Sequence, residues 1–125
     1  MLVLLLVCLP LCSVVTGQIM TGQPRPVSTR SEKVWRAARF AVGEFNNALS
    51  QQPFTYKILN VTSAKVQVVA GVNYIIEVQL GRVCKSSLLQ KCHGKSHPKE
   101  LLCTFTVTEI PWEGKRFVYR RICKP

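Results

Sequence analysis

Residues 72–83 read VNYIIEVQLGRV, and this stretch decides the fold class that the sequence predicts. Every second position on one side of the run is apolar: Tyr74, Ile76, Val78 and Leu80. The positions between them are more mixed: Ile75, Glu77, Gln79 and Gly81. A period of two is the side-chain period of a β-strand with one better-buried face. The stretch therefore predicts a strand of a sheet that is covered on one side.

Further strands are predicted on both sides of this run, at residues 54–61, 65–69, 101–110 and 116–123. Within residues 101–110, Cys103, Phe105 and Val107 alternate with threonines, which repeats the period of two. A turn is predicted around Trp112-Glu113-Gly114. Residues 85–99 are polar and basic, which indicates a long loop.

One helix is predicted ahead of the strands. Ser31 is suited to the N-cap position, and the helix should end near Leu49, before Gln51, Gln52 and Pro53. Apolar side chains recur at helical spacing through it: Val34, Ala38, Ala41, Phe45 and Ala48. A helix followed by a run of antiparallel strands is an α+β layout, in which the helix can cover the buried face of the sheet.

The first 30 residues are expected to lie outside the folded domain. Residues 2–11 are almost purely apolar but shorter than the roughly 20 residues that span a bilayer, so residues 1–17 are interpreted as a secretory signal. Residues 18–30 are rich in Gly, Pro, Ser and Thr, which predicts a flexible, extended arm. Residues 31–125 then form a single domain of a secreted, extracellular protein.

Four cysteines remain beyond the signal: Cys84, Cys92, Cys103 and Cys123. In an exported chain, disulfides are the expected state, and four cysteines permit three pairings that sequence order alone does not distinguish. The interpretation favoured here pairs Cys84 with Cys92, at the base of the polar loop. It also pairs Cys103 with Cys123, which would tie together the last two strands.

The formal net charge of +11 comes from 17 Lys and Arg against 6 Asp and Glu. Such a surface favours anionic partners, including glycosaminoglycans, acidic protein faces and membrane surfaces, although basic runs are also common on plain solvated faces. No nucleic-acid-binding motif is present, so nucleic acid is not an expected partner.

An enzyme is not predicted. Both histidines, His93 and His97, lie in the polar loop, no pair of carboxylates suggests acid–base chemistry, and the cysteines are assigned to disulfides. The spacing of Cys92, His93 and His97 fits no ordinary zinc finger, and no cofactor or metal is expected.

Two turns are unexpectedly apolar. Gln67-Val68-Val69-Ala70-Gly71 lies where a hairpin tip should carry Asn, Asp, Gly or Ser, and Pro111-Trp112 lies at the second turn. Trp112 taken alone fits a core position as well as a binding position. An apolar tip is explained if its side chains enter a cleft of another molecule.

The chain resembles the secreted, two-disulfide (type 2) cystatins, which inhibit papain-like cysteine proteases. The resemblance covers the whole chain beyond the signal and rests on motifs in a fixed order: Gly22, residues 40–46 (FAVGEFN), residues 67–71 (QVVAG), residues 72–74 (VNY), Gly81-Arg82, the four cysteines and Pro111-Trp112. It implies the cystatin fold, a five-stranded antiparallel sheet wrapped around one long helix and held by two disulfides.

The resemblance also implies a three-part wedge that enters the active-site cleft of a protease such as papain or a lysosomal cathepsin. Inhibition would be reversible, competitive and tight. The implied contact residues are Met20, Thr21 and Gly22 in the arm, Gln67, Val68, Val69, Ala70 and Gly71 in the first hairpin, and Pro111 and Trp112 in the second. Thr21 is smaller and more polar than the aliphatic residue expected there, so a weak contribution from the arm is expected.

Four further expectations complete the interpretation. Some cystatins inhibit legumain through an Asn just past the helix, and this chain has Ser50 there, so no legumain inhibition is implied. Asn60-Val61-Thr62 is a glycosylation sequon. A monomer is expected, and exchange of the first hairpin between two copies is left open.

The alternative function is a cationic host-defence or glycosaminoglycan-binding protein that keeps the fold. A third possibility, a plain secreted carrier, would instead have polar tips.

Overall fold

A computed structural model of the chain describes residues 22–85 and 98–125. The elements are a short strand β1 (Arg25–Pro26), a helix α1 (Glu32–Ala48), and the strands β2 (Phe54–Val69), β3 (Gly71–Cys84), β4 (Glu100–Ile110) and β5 (Lys115–Lys124). The strands form one antiparallel sheet in the order β1-β2-β3-β4-β5. The predicted α+β fold, with a five-stranded antiparallel sheet and one long helix, is confirmed.

The core lies between α1 and one face of the sheet. The four apolar residues predicted to share the buried face of β3 are at most 7% exposed, and Cys103, Phe105 and Val107 of β4 are fully buried. The helix contributes small side chains to this layer: Val34, Ala37, Ala38, Ala41 and Val42. Because the distance between packed elements depends on the side chains at the contact, these alanines allow a close approach to the sheet.

The last turns of α1 differ from the sequence prediction. Ala48, predicted to be on the apolar face, is exposed at the end of the helix. Asn46, predicted to face the polar side, is half-buried: its amide donates to the Tyr56 carbonyl (2.9 Å), and the Tyr56 N–H donates to Asn46 Oδ1 (2.8 Å). The side chain thus gives the backbone of β2 the pair of hydrogen bonds that a neighbouring strand would supply.

Two boundaries along the sheet also differ from the sequence prediction. The runs 54–61 and 65–69 form one continuous strand, β2, with register irregularities between Ile58 and Asn60 and between Val61 and Ser63. Such irregularities bend a strand and increase its twist, which lets β2 curve around α1.

The arm prediction for residues 18–30 needs a correction, because Arg25–Pro26 pair with β2 as the edge strand β1. Proline is tolerated there because it lacks an N–H to donate and edge positions need none.

One of the two favoured disulfides lies within the described residues and is confirmed. Cys103 and Cys123 are directly opposite each other on β4 and β5, with an S–S distance of 2.05 Å. Cys84, at the end of β3, is disulfide-bonded, and its predicted partner Cys92 lies outside the described residues.

Replacing Gly43 by alanine is expected to stabilise the fold. Gly43 is exposed in the middle of α1, and a Cβ placed on it meets no atom within 4 Å. Alanine in a helix interior is favoured over glycine by about 0.5–1 kcal/mol, because it loses less conformational entropy on folding. Urea unfolding should show a higher midpoint for Gly43→Ala; a lower midpoint would contradict the open space seen here.

Candidate functional site

Three segments of the chain meet at one end of the sheet. The first hairpin joins β2 to β3 with Ala70 between the strands, and the second joins β4 to β5 through a 3-10 turn, Pro111–Glu113. Val72 pairs with Val68 on one side and with Glu109 on the other, so the two hairpin tips lie side by side. The arm reaches the opposite side of the first tip at Gly22. We call this end of the sheet the apolar edge, formed by Gly22, residues 67–71 and Pro111–Trp112.

Gly71 allows the first tip to lie against the second hairpin. Its φ is +118°, in a region that side chains strongly disfavour. A Cβ on this residue would also lie 2.5 Å from the Glu109 carbonyl oxygen, closer than any real contact. Both the tight turn and the approach to β4 therefore require glycine at this position.

Two hydrogen bonds join the arm to the first tip. The Gly22 N–H donates to the Val68 carbonyl (2.9 Å), and the Gln67 side-chain amide donates to the Gly22 carbonyl (2.9 Å). The resemblance implies Gln67 as a protease contact of the first hairpin, and in the structure its side chain contacts the arm. A Cβ on Gly22 would lie 3.2 Å from the Val68 carbonyl oxygen, so a larger residue would push the arm away.

The second hairpin displays its aromatic residue to solvent. Gly114 has a left-handed conformation (φ +62°), and its N–H donates to the Pro111 carbonyl (3.1 Å), which closes the turn. Trp112 is 71% exposed, so a core position for this side chain is excluded. Val68, in the first hairpin, is 55% exposed. Large apolar side chains grouped in this way at one edge are typical of an interaction surface.

A layer of polar contacts behind the tips supports both hairpins. The Thr108 hydroxyl donates to Asn73 Oδ1 (2.7 Å), linking β4 to β3, and Arg116 Nε donates to the Glu109 carboxylate (2.7 Å), linking β5 to β4. The Arg116 guanidinium also lies over the Phe40 ring, 5.6 Å from its centroid, and so connects the second hairpin to α1. Sequence reasoning missed these residues, because no local pattern in the sequence shows which residues the strand register brings together.

Tyr74 of β3, three residues after Gly71, is buried near this end of the sheet. Burial raises the pKa of Tyr74, and the nearby Glu109 raises it further, so the Tyr74 phenol is neutral at physiological pH. Within residues 22–85 and 98–125, no three His, Cys, Asp or Glu side chains are placed to hold a metal ion. In the same ranges no helix is long and apolar enough to cross a membrane. The apolar edge therefore presents apolar side chains on two hairpins that are held in place by the contacts behind them.

The remaining site residues of the sequence interpretation are placed as follows. Met20 and Thr21 lie outside the described residues. Ala70 and Pro111 are exposed at their tips, and Val69 is half-buried. Asn60 is exposed on β2, opposite Gln79 and far from the apolar edge.

The position of Asn60 leads to a prediction about glycosylation. The residue is eight positions from Val68 along β2, or roughly 25 Å at the rise of a strand, so a glycan there leaves the apolar edge clear. Protein made in a eukaryotic secretory pathway should lose mass on treatment with an N-glycosidase, and Asn60→Gln protein should not. Unmodified wild-type protein from such cells would contradict the prediction.

Comparison with known proteins gives a consistent result. A family model described as the cystatin domain matches residues 22–112. Human cystatin-C is 37% identical over 111 residues, which cover 84% of this chain and 75% of that protein. Chicken (Gallus gallus) cystatin is 39% identical over 99 residues, covering 74% of this chain and 70% of its own length.

Solved structures agree on the fold. The crystal structure of dimeric human cystatin F superposes with a TM-score of 0.66 at 32% identity, covering 86% of this chain and 90% of that one. A salivary cystatin of the soft tick Ornithodoros moubata has a TM-score of 0.64 at 21% identity, covering 83% and 98%, and supports the fold alone. The range matched by the family model begins at Gly22 and ends at Trp112, so it contains every segment of the apolar edge.

Proposed function

The chain belongs to the cystatin family, whose members inhibit cysteine proteases, and from this premise we propose that it is a secreted, reversible inhibitor of papain-like cysteine proteases such as lysosomal cathepsins. The apolar edge would act as a wedge in the active-site cleft of the protease. The arm with Met20, Thr21 and Gly22 would lie on one side of the cleft, and the first hairpin and Trp112 would fill its centre and its other side.

The exposure of Trp112 and Val68 at adjacent hairpin tips is the observation that carries this proposal. A tryptophan buries about 150–250 Å² when it is fully covered, and apolar burial stabilises by about 25 cal/mol per Å². Covering the indole alone is therefore worth several kcal/mol before the costs of association. A carrier or purely charge-driven protein has no use for two apolar tips in water.

The frame behind the tips supports tight and reversible binding. Gly71 and the hydrogen bonds of Gly22 hold the three segments together before any partner arrives, which limits the ordering cost on association. Ala70 lies in a tight turn between paired strands, so the tip cannot extend across a catalytic centre as a substrate does without breaking the β2–β3 pairing. Inhibition should accordingly be competitive and non-covalent, and the inhibitor should not be cleaved.

The test is steady-state inhibition of papain and cathepsin L by refolded residues 18–125, titrated against protease of known active-site concentration at moderate salt. The expected result is competitive inhibition at nanomolar inhibitor concentrations, with no inhibition of legumain, because Ser50 stands where some family members have Asn. Absence of papain inhibition at micromolar concentrations, with both disulfides verified by mass spectrometry, would show that the fold serves another purpose.

A further inference from the structure

The edge strand β5 carries an unusual density of positive charge. Five of the ten residues of Lys115–Lys124 are Lys or Arg. The two at its start have acidic partners, since Lys115 lies 3.7 Å from Glu113 and Arg116 lies 2.7 Å from Glu109. The other three are Arg120, Arg121 and Lys124, which we call the β5 stripe. In the part of the chain that the structure describes, no carboxylate lies within 4 Å of their charged groups.

The neighbouring strand does not neutralise the β5 stripe. Arg120 is opposite Thr106, Arg121 is opposite Phe105, and Lys124 is opposite Leu102. Each cation thus faces an uncharged residue across the β4–β5 ladder. The three positive charges lie within five residues of one strand, so their fields have the same sign along this edge and weaken with added salt.

One cation of the stripe is held in position by an aromatic ring. The Arg121 guanidinium lies over the ring of Phe45 of α1, 5.1 Å from its centroid. Arg120 and Arg121 also line an open groove of about 420 Å³ between β5 and α1. Among the described residues that line this groove Glu44 is the one acid, and Arg121 is the arginine whose guanidinium is shown to lie against α1. An anionic group seated there would meet a partly preorganised cation instead of a freely moving one.

The shape of the stripe favours a linear ligand over a flat one. Arg120 and Arg121 are consecutive residues that pair with consecutive residues of β4, so their side chains lie on opposite faces of the strand. A planar membrane surface could contact one face of a twisted edge strand, whereas a flexible chain can run along the edge and contact both faces. Basic residues on an edge strand also discourage pairing with other strands, but that role does not require an arginine held in a groove against α1.

We propose that Arg120, Arg121 and Lys124 form a binding site for a sulfated polysaccharide chain of the glycosaminoglycan type. Arg120 is five residues along β5 from Lys115, or about 16 Å, and so lies away from the second hairpin and the apolar edge. The polysaccharide can therefore bind while the apolar edge is occupied by a protease. This site does not depend on the proposed inhibition, and it would retain the protein on a sulfated matrix with its apolar edge free.

The experiment is calorimetric titration of the purified full-length secreted protein with a heparin oligosaccharide of defined length at several salt concentrations. The stripe variant is Arg120→Gln/Arg121→Gln/Lys124→Gln, and the control variant Lys33→Gln/Arg36→Gln/Arg39→Gln removes the same charge from exposed positions on α1. We expect the stripe variant to lose about tenfold or more in affinity and the control to lose less than about threefold. The slope of log affinity against log salt should fall by about two to three in the stripe variant, roughly one per lost ion contact.

Two outcomes would overturn the site. Equal losses of affinity in the two triple variants would mean that net charge alone binds heparin. Unchanged heparin affinity in the stripe variant would reject the site, and loss of binding to phosphatidylserine vesicles by that same variant would assign the stripe to a membrane surface instead. Arg120→Gln/Lys124→Gln keeps the Arg121–Phe45 contact, so a loss of about fivefold or more in this folded variant supports the site even if the triple variant unfolds. Papain inhibition is measured in parallel, and its absence in wild-type protein would reject the proposed inhibition without bearing on the heparin result.

Discussion

Trp112→Ala is expected to weaken the inhibition of papain by about 30-fold or more, which corresponds to about 2 kcal/mol, while the free energy of unfolding changes by less than about 0.5 kcal/mol. The two effects separate because the indole is 71% exposed and so stabilises the free protein little. Buried in a protease cleft, the same side chain would be an aromatic anchor of the kind that dominates interface energetics.

The matched control for this prediction is Tyr119→Ala. Tyr119 is 70% exposed on β5, so its removal deletes a comparable aromatic side chain away from the apolar edge. Inhibition constants for papain and urea midpoints should be measured for both variants. We expect Tyr119→Ala to inhibit as the wild type does. Equal losses in the two variants, or none for Trp112→Ala, would remove Trp112 from the contact surface.

Local periodicity was sufficient to predict the layers of this fold. The alternation in residues 72–83 selects the buried face of β3, and burial of Ile76, Val78 and Leu80 confirms it. Periodicity works here because a strand with one covered face must place apolar side chains at every second position. The apolar tips were visible in the sequence for the opposite reason, since Val68 and Trp112 break the expected polarity of turns.

Pairings between distant residues could not be predicted in the same way. Nothing local in Arg25–Pro26 indicates a strand, and the pairing exists because β2 leaves its outer edge open to the arm. Similarly, Asn46 looks like a solvent-facing helix residue until the position of Tyr56 is known. Contacts of this kind depend on register and on the curvature of β2, which arise only when the whole sheet has assembled.

Gly71 combines a local and a distant requirement. Its positive φ belongs to the tight turn and can be expected from the hairpin sequence, whereas the proximity of the Glu109 carbonyl comes from the packing of β3 beside β4. The same residue thus sets the turn and the spacing between the two hairpin tips. A change at this position should therefore affect both folding and inhibition.

Gly71→Ala is expected to destabilise the fold by at least about 2 kcal/mol, because a disfavoured φ alone costs about 1–3 kcal/mol and the clash with the Glu109 oxygen adds to it. Relief of the clash requires the first tip to move away from β4, which separates Val68 from Trp112. Inhibition of papain should then weaken by about tenfold or more even in fully folded protein, since both tips can no longer fit one cleft.

Gly114→Ala is the control that separates the effect of a positive φ from the effect of the clash between residue 71 and the Glu109 carbonyl oxygen. Gly114 also has a positive φ, +62°, but a Cβ on it meets no atom within 4 Å. Alanine there should cost only about 1–2 kcal/mol, the penalty of the left-handed conformation. Inhibition is measured at a temperature where circular dichroism shows each variant to be folded. Both variants place alanine at a positive φ, but only Gly71→Ala adds a clash with the Glu109 carbonyl oxygen. If the two variants inhibit papain equally well under these conditions, inhibition does not require the observed spacing between the two hairpin tips.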